Sequence, residues 1–448
     1  MKTIIFISIL ISLISTIYTQ TITWSKVYGT SEFNEHATRI KQLQNGDYIV
    51  MGTNDSGVQL LKIDSFGDSI WSKKYSIDNM IPDIELGINN NYIIATTKYY
   101  TVDTSALYVL WVDENGDSVK SNSYFISYNT NFILDVPRDI DKTSDSCYVI
   151  VGRTSLYACH DGFIIKINDD GDSLWTSFSY LDDMDFRSVV EGSDGCYLTA
   201  IDGHPHYSVE KFDSLGQHQS VLCSLGGFVT HIEMLADSNF VYRSWAGPVV
   251  KINENLDTIW TRPGIGCGDV APCSDGGFVV TGSCNNDLFL TKFNTDGDSL
   301  WTVTYGGGGV DVGRCVEQTS DGGFIICGST TSYGTGSADF YIIKTDSAGY
   351  ALGVEEELYS EIVHSNGFMV EYLFSGSVKI SFFSTLTDDL ALKLYDVTGR
   401  EIESSYTTKT ENNRTCLVIR NLNRGVYFFR IEGENRSYQG KFTIITDG

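Results

Sequence analysis

A ten-residue phrase, Lys292-Phe-Asn-Thr-Asp-Gly-Asp-Ser-Leu-Trp301, recurs along this chain. Its variants are Lys62–Trp71, Trp111–Lys120, Lys166–Trp175, Lys211–Ser220, Lys251–Trp260 and Lys344–Gly353, making seven copies. Each copy ends a short alternating apolar strand, turns through Asp or Asn and Gly, and starts another strand. Asp and Asn bond their own backbone two residues on, and Gly accepts positive φ, so the phrase reads as a hairpin turn. A second phrase lies upstream of each copy, as in Ser320-Asp-Gly-Gly-Phe-Ile-Ile-Cys-Gly328.

The first slot of the phrase recurs at intervals of 49, 55, 45, 40, 41 and 52 residues. Units of this length, each with several period-two segments, predict the blades of a β-propeller and exclude a helical solenoid. In the sixth unit the expected strands are Val270–Pro272, Gly277–Gly282, Leu288–Asn294 and Leu300–Tyr305. High Gly, Tyr, Phe, Ile, Val and Thr content agrees with strands and turns. Trp71, Trp175, Trp260 and Trp301 fill one slot of the repeat, where each indole buries about 200 Å² against a neighbouring blade. Trp24 opens the orphan segment Trp24-Ser-Lys-Val-Tyr-Gly29, and the seventh unit reaches Gly353 without a fourth strand. The N-terminal segment, residues 21–29, is therefore expected to complete the last blade and close the ring.

The expected organisation is all-β: a signal peptide over 1–20, a seven-bladed β-propeller over 21–353, a linker over 354–366, and a small Ig-like β-sandwich over 367–448. Lys2, the apolar run from Ile4 to Ile17 and the Tyr18-Thr19-Gln20 end match a cleaved secretory leader. No later segment is long and apolar enough to predict a transmembrane helix in the mature protein. After Gly353 comes the acidic stretch Glu355-Glu-Glu-Leu-Tyr-Ser360, and then shorter strands with a different rhythm.

Gly67-Asp-Ser-Ile-Trp71 and Gly297-Asp-Ser-Leu-Trp301 resemble the docking repeats of tryptophan-docked propellers, best known from the quinoprotein dehydrogenases. The resemblance covers the scaffold. Those enzymes have eight blades, a pair of adjacent cysteines and a calcium-bound Asp, whereas this chain has seven units and no Cys-Cys pair, so no cofactor is expected. The tail is similar to the type A sorting domain of the type IX secretion system. The matching segments are Leu392-Lys-Leu-Tyr-Asp-Val-Thr-Gly-Arg-Glu-Ile402, Leu422-Asn-Arg-Gly-Val-Tyr-Phe-Phe-Arg-Ile431 and Gly440-Lys-Phe-Thr-Ile-Ile445. That resemblance implies a Bacteroidetes-type bacterium, contact with the type IX secretion machinery, and a product released or held on the cell surface, outside the outer membrane.

Formal net charge is −26, which disfavours nucleic acid as a partner. Asn294–Asp298 and Asn168–Asp172 look faintly like calcium loops, but lack the later bidentate Glu; hairpin turns are expected there, and no metal site. His204-Pro-His206, with His218 nearby, lacks a third ligand. Among the ten cysteines, Cys315 and Cys327 flank the Ser320-Asp-Gly turn almost symmetrically and are expected to face each other across a hairpin as a disulfide pair. No catalytic residue can be assigned, because neighbours in a propeller come from different blades.

Counting back ten residues from the anchors Tyr148, Tyr197 and Phe324 reaches Arg138, Arg187 and Arg314. Three guanidinium groups near one channel mouth would grip carboxylate or sulfate, as on an acidic glycan. The local alternative is that each pairs with Asp135, Asp185 or Asp311. Two function classes follow: a non-catalytic module that binds a glycan, peptide or surface protein, and an extracellular glycan hydrolase or lyase working at the channel mouth.

Overall fold

In a computed structural model of the chain, the described residues are 22–356, apart from short loop segments, and the strand-bearing parts of 368–444. The expected signal peptide and the His204–His206 stretch lie outside them. Among the described residues there is no helix, and thus none long and apolar enough to cross a membrane.

Residues 22–356 form seven blades; the first six each have four antiparallel strands in chain order from the channel outwards, and the seventh draws its fourth strand from the N-terminal end of the chain. The inner strands are His36–Gln42, Asp83–Leu86, Val136–Lys142, Asp185–Glu191, Val229–Met234, Val270–Pro272 and Asp311–Gln318. Each blade packs on the next, and blade 7 packs on blade 1, so the ring is closed. Blade 6 matches its expected strands to within two residues: Val270–Pro272, Phe278–Cys284, Asp287–Phe293 and Ser299–Tyr305. In its outer hairpin the Asn294 side chain accepts the amides of Asp296 (3.0 Å) and Asp298 (2.8 Å), and Gly297 takes φ 77°.

Closure follows from the N-terminal strand. Trp24–Tyr28 runs antiparallel to Asp339–Thr345, with Trp24 opposite Lys344 and Tyr28 opposite Phe340. It supplies the fourth strand that blade 7 lacks. Its free side then takes Val354–Glu356 as a fifth, parallel strand. These three residues belong to the expected linker. They pair because Trp24–Tyr28 would otherwise leave an open edge.

The two recurrent phrases meet within a blade. The Lys that opens the hairpin phrase reaches the Asp of the upstream phrase in five blades: Lys166–Asp145 (2.7 Å), Lys211–Asp194 (2.8 Å), Lys251–Asp237 (2.7 Å), Lys292–Asp275 (2.8 Å) and Lys344–Asp321 (3.0 Å). In blade 2 that Lys is replaced by the buried Trp111.

Blades are joined at the rim by the tryptophans. Trp71 of blade 1 lies over Gly116 of blade 2, Trp175 over Gly216, Trp260 over Gly297 and Trp301 over Gly349, while Trp24 of blade 7 lies over Gly67 of blade 1. A Cβ on any of these glycines would sit about 3 Å or less from the indole, so the positive φ and the close approach both require Gly. Polar contacts extend the dock. The Trp24 indole donates to the Ser65 carbonyl (3.0 Å), Lys26 meets Asp68 (2.7 Å) and Tyr28 donates to the Gly67 carbonyl. Trp71, Lys73 and Tyr75 repeat the set on Glu114, Asp117 and Gly116. Blade 4 breaks the pattern with Ser220, and the turn it faces breaks it too: Leu256 stands in the glycine slot at φ 66° and is buried.

The second unit, Tyr359–Gly448, is a two-sheet sandwich. One sheet orders Phe368–Leu373, Ser377–Phe383, Arg414–Ile419 and Tyr406–Glu411; the other orders Glu401–Ile402, Ala391–Tyr395, Gly425–Glu432 and Ser437–Ile444. Ile380, Leu417 and Ile419 of the first sheet share a core with Leu394, Tyr427, Phe429 and Ile431 of the second.

Candidate functional site

The inner strands enclose a cavity of about 320 Å³ in the propeller channel. Strand alternation decides its walls. Counting back nine and seven residues from each blade's Tyr or Phe anchor gives Arg39 and Lys41, Asp83 and Glu85, Asp139 and Asp141, His231 and Glu233, and Cys315 and Glu317, in blades 1, 2, 3, 5 and 7. All except Glu85 line the cavity, joined by Asp269 of blade 6.

Each cation in this lining is held by two carboxylates. Arg39 reaches Asp83 (2.9 Å) and Asp139 (3.6 Å), Lys41 reaches Glu85 (3.0 Å) and Glu317 (3.5 Å), and His231 Nε2 lies 3.0 Å from Asp269 and 3.1 Å from Glu233. Burial pushes the Asp83 carboxyl well up, against the Arg39 charge, and the adjacent Asp139 carboxylate adds to the rise. Burial also opposes ionisation of Asp139, yet the hydrogen bond from Asp83 and the Arg39 charge hold it down to about 2. Burial disfavours a charged His231, but Asp269 and Glu233 hold it up to about 9, as an imidazolium at neutral pH.

Asp141 is different. Among the described residues its side chain has no ion-pair or hydrogen-bond partner. Burial, and then the charges of Glu85 and Glu233, push its carboxyl well above the usual range, with Lys41 opposing. The six carboxylates lining the cavity, Asp83, Asp139, Asp141, Glu233, Asp269 and Glu317, outnumber Arg39, Lys41 and His231.

None of the three expected arginines lines the cavity. The slot ten residues before the anchor holds a β-bulge in five blades, at Thr38, Arg138, Arg187, Thr230 and Arg314, where the inner-strand register skips one residue. A bulge re-aims its side chain, and a one-residue offset in a strand turns it away from the channel wall. Buried Arg138 grips Asp185 of the next blade through Nε and Nη2, at 2.7–3.1 Å. Arg187 pairs with Asp202 and approaches Asp185 at 3.5 Å. Arg314 is exposed. Of the three expected local partners, Asp185 does pair with arginine, whereas the other two bond elsewhere: Asp135 accepts from Thr154 (2.6 Å) and the Ile126 amide (3.0 Å), and Asp311 from the Gly307 amide (3.0 Å) and Ser332 (2.6 Å).

Sequence reasoning missed the channel residues although a signal for them was present: charged residues alternating with Ile40, Ile84, Ile140, Ile232 and Val316. Registering the inner strands one position later exposes it. Cys315 and Cys327 are directly opposed across two strands of blade 7, and both are free thiols. Cys315 is buried, its Sγ is 3.9 Å from the Ile40 carbonyl, and its hydrogen bond with Cys327 and burial push the thiol well up. That is the opposite of an activated nucleophile. Among the described residues no group of three or more His, Cys, Asp or Glu side chains is placed to hold a metal ion.

Comparison with known proteins bears on both units. The propeller resembles the WD40 β-propeller domain of Doa1, with a TM-score of 0.50 and 13% identity over 74% of this chain and 99% of that one. The extracellular domain of the putative hybrid two-component system BT3049 from B. thetaiotaomicron aligns over 94% of this chain and 57% of its own, at 11% identity and a TM-score of 0.48. These likenesses concern the fold alone. No curated protein sequence matches the chain. Residues 374–445 match the secretion system C-terminal sorting domain. The chain is thus a seven-bladed β-propeller protein that carries a type IX secretion sorting domain at its C-terminal end, and it is a secreted or cell-surface protein.

Proposed function

We propose that the exported propeller is a non-catalytic binding module that takes a positively charged group, such as the amine of a basic peptide, into its channel. The observation that carries this reading is Asp141. It lies in a cavity where every cation is already shared by two carboxylates, and neighbouring charges oppose its ionisation. An incoming ammonium relieves that repulsion and gains a charge-assisted hydrogen bond. An acidic glycan gains neither, since Arg138 and Arg187 are occupied and the cavity lining is acidic. The hydrolase alternative needs two carboxyl groups facing each other across about 5 Å or more of substrate. Asp83 and Asp139 hydrogen-bond to each other instead.

Titration calorimetry on the full chain tests this, with tetralysine as one probe and a sulfated oligosaccharide as the other. Tetralysine is expected to bind, and Asp141→Asn to weaken it about tenfold, the worth of one charged hydrogen bond. Binding should release a proton, because the cation favours the ionised Asp141. Affinity then rises with pH until Asp141 is ionised without ligand. Preference for the sulfated probe, or turnover of a polysaccharide, overturns the reading.

A further inference from the structure

We propose that Cys315 and Cys327 form a buried disulfide that staples blade 7, and that the bond is made before the ring closes. The cysteines are exact register partners on the antiparallel strands Asp311–Gln318 and Phe324–Thr330. Opposed residues on such strands have Cα atoms about 4.5–5.5 Å apart and side chains on one face. That spacing falls inside the window of about 4.4–6.8 Å that a disulfide spans without moving the backbone. The two thiols already hydrogen-bond to each other.

Their location gives the bond its role. Both cysteines belong to the core shared by blades 7 and 1, with Trp24, Tyr28, Ile40, Tyr48 and Phe340. Blade 7 is also the blade whose fourth strand arrives from the N-terminal end of the chain. Until Trp24–Tyr28 docks, that blade has three strands and an open edge. A covalent link between its first two strands holds the inner hairpin in register while the edge waits.

Timing follows from access. In the closed ring Cys327 is fully buried and Cys315 only 4% exposed, so no oxidant reaches both sulfurs. A sorting domain directs the chain out of the reducing cytoplasm and into oxidising surroundings, where disulfides persist. The required oxidant is a dithiol–disulfide exchange partner or oxidised glutathione. One cysteine thiolate attacks the oxidant's disulfide, releasing one thiol and leaving a mixed disulfide. The second cysteine thiolate displaces the oxidant's remaining sulfur, which leaves as the second thiol. Two electrons pass to the oxidant, and its two sulfurs leave with the two cysteine protons. Once blade 1 covers the pair, the bond is equally hard to reduce.

The test uses the unaltered full chain, refolded with oxidised glutathione. Unfolding it in denaturant with an alkylating reagent, followed by peptide mapping, is expected to leave Cys315 and Cys327 unlabelled and joined in one linked peptide, lighter by two hydrogens. Exposed Cys223 and Cys284 serve as internal controls, expected alkylated or as glutathione mixed disulfides and never within the linked peptide. Before unfolding, a thiol reductant should leave the link intact; in denaturant it should open it. A second measurement compares melting temperatures, and Cys315→Ala with Cys327→Ala is expected to melt below the oxidised parent. Full labelling of both cysteines after oxidative refolding overturns the proposal. So does ready reduction of the link in the native ring, which would place the pair within solvent reach.

Discussion

His231 bridges Asp269 and Glu233, so part of the propeller's stability depends on one proton. Its folded value of about 9 lies above the ordinary 6.5 of an unfolded histidine. The bridge therefore contributes fully below pH 6.5 and is lost as pH rises towards 9. Melting temperatures measured across that window should fall, and His231→Gln should flatten the fall. Leu256 shows another single-residue dependence. It occupies the turn slot that glycine holds under the docked tryptophans, at φ 66°, and it belongs to the core cluster against which Leu222 of blade 4 packs. Ser220→Trp alone should destabilise, because an indole meets the Leu256 side chain. Paired with Leu256→Gly it should recover stability, through a coupling of about 1–3 kcal/mol. Additive losses in a double-mutant cycle would show that the slot does not dock in blade 4.

Among the elements, the outer hairpins join blade to blade and the Lys–Asp pairs tie strands within a blade. Trp301→Ala removes an indole lying over Gly349 and beside Phe324, and should cost about 3 kcal/mol or more in denaturant unfolding. The Lys–Asp pairs predict an acid response. Burial works against the Asp145 charge, but the bonds from Lys166 and Thr143 hold its carboxyl down to about 2. Asp194, Asp237, Asp275 and Asp321 are lowered against burial in the same way, by their lysines among other bonds. A depressed carboxylate stabilises the fold above its unfolded value near 3.8. That contribution drains away as pH falls towards 2. The melting-temperature gap between parent and Lys166→Met should thus be open at pH 5 and closed near pH 2.

For the whole molecule, ring closure makes the first described strand indispensable. Deleting residues 21–29 removes the fourth strand of blade 7 and bares both Asp339–Thr345 and the Gly67 dock. The expected outcome is loss of cooperative unfolding or aggregation, seen by calorimetry and light scattering; a deletion that melts like the parent contradicts the closure. A chain ending at Leu358 keeps every blade, so it should fold with an unchanged propeller transition. It lacks the sorting domain and should stay unsecreted in its native host. Secretion of that truncation contradicts the export role of the tail.

The sorting tail was legible through its resemblance to a known family; the sequence alone determined the repeat, the blade count and the closing strand. Each is written in local grammar: Asn294-Thr-Asp-Gly-Asp298 must turn, period-two segments must be strands, and Trp24 starts a strand with no blade of its own. The Trp slots were legible because each blade repeats one docking chemistry. Which charges face the channel was decided only in three dimensions. Arg138, Arg187 and Arg314 occupy a bulge that no composition or period marks, and one residue of register separates them from Asp139, Ser188 and Cys315. Apart from His231–Glu233, the ion pairs of the channel join residues on different blades, as Arg39 and Asp139 do, 100 positions apart. Local sequence sets strand direction and turn type, whereas side chains that meet across a closed ring are neighbours only once seven blades have packed.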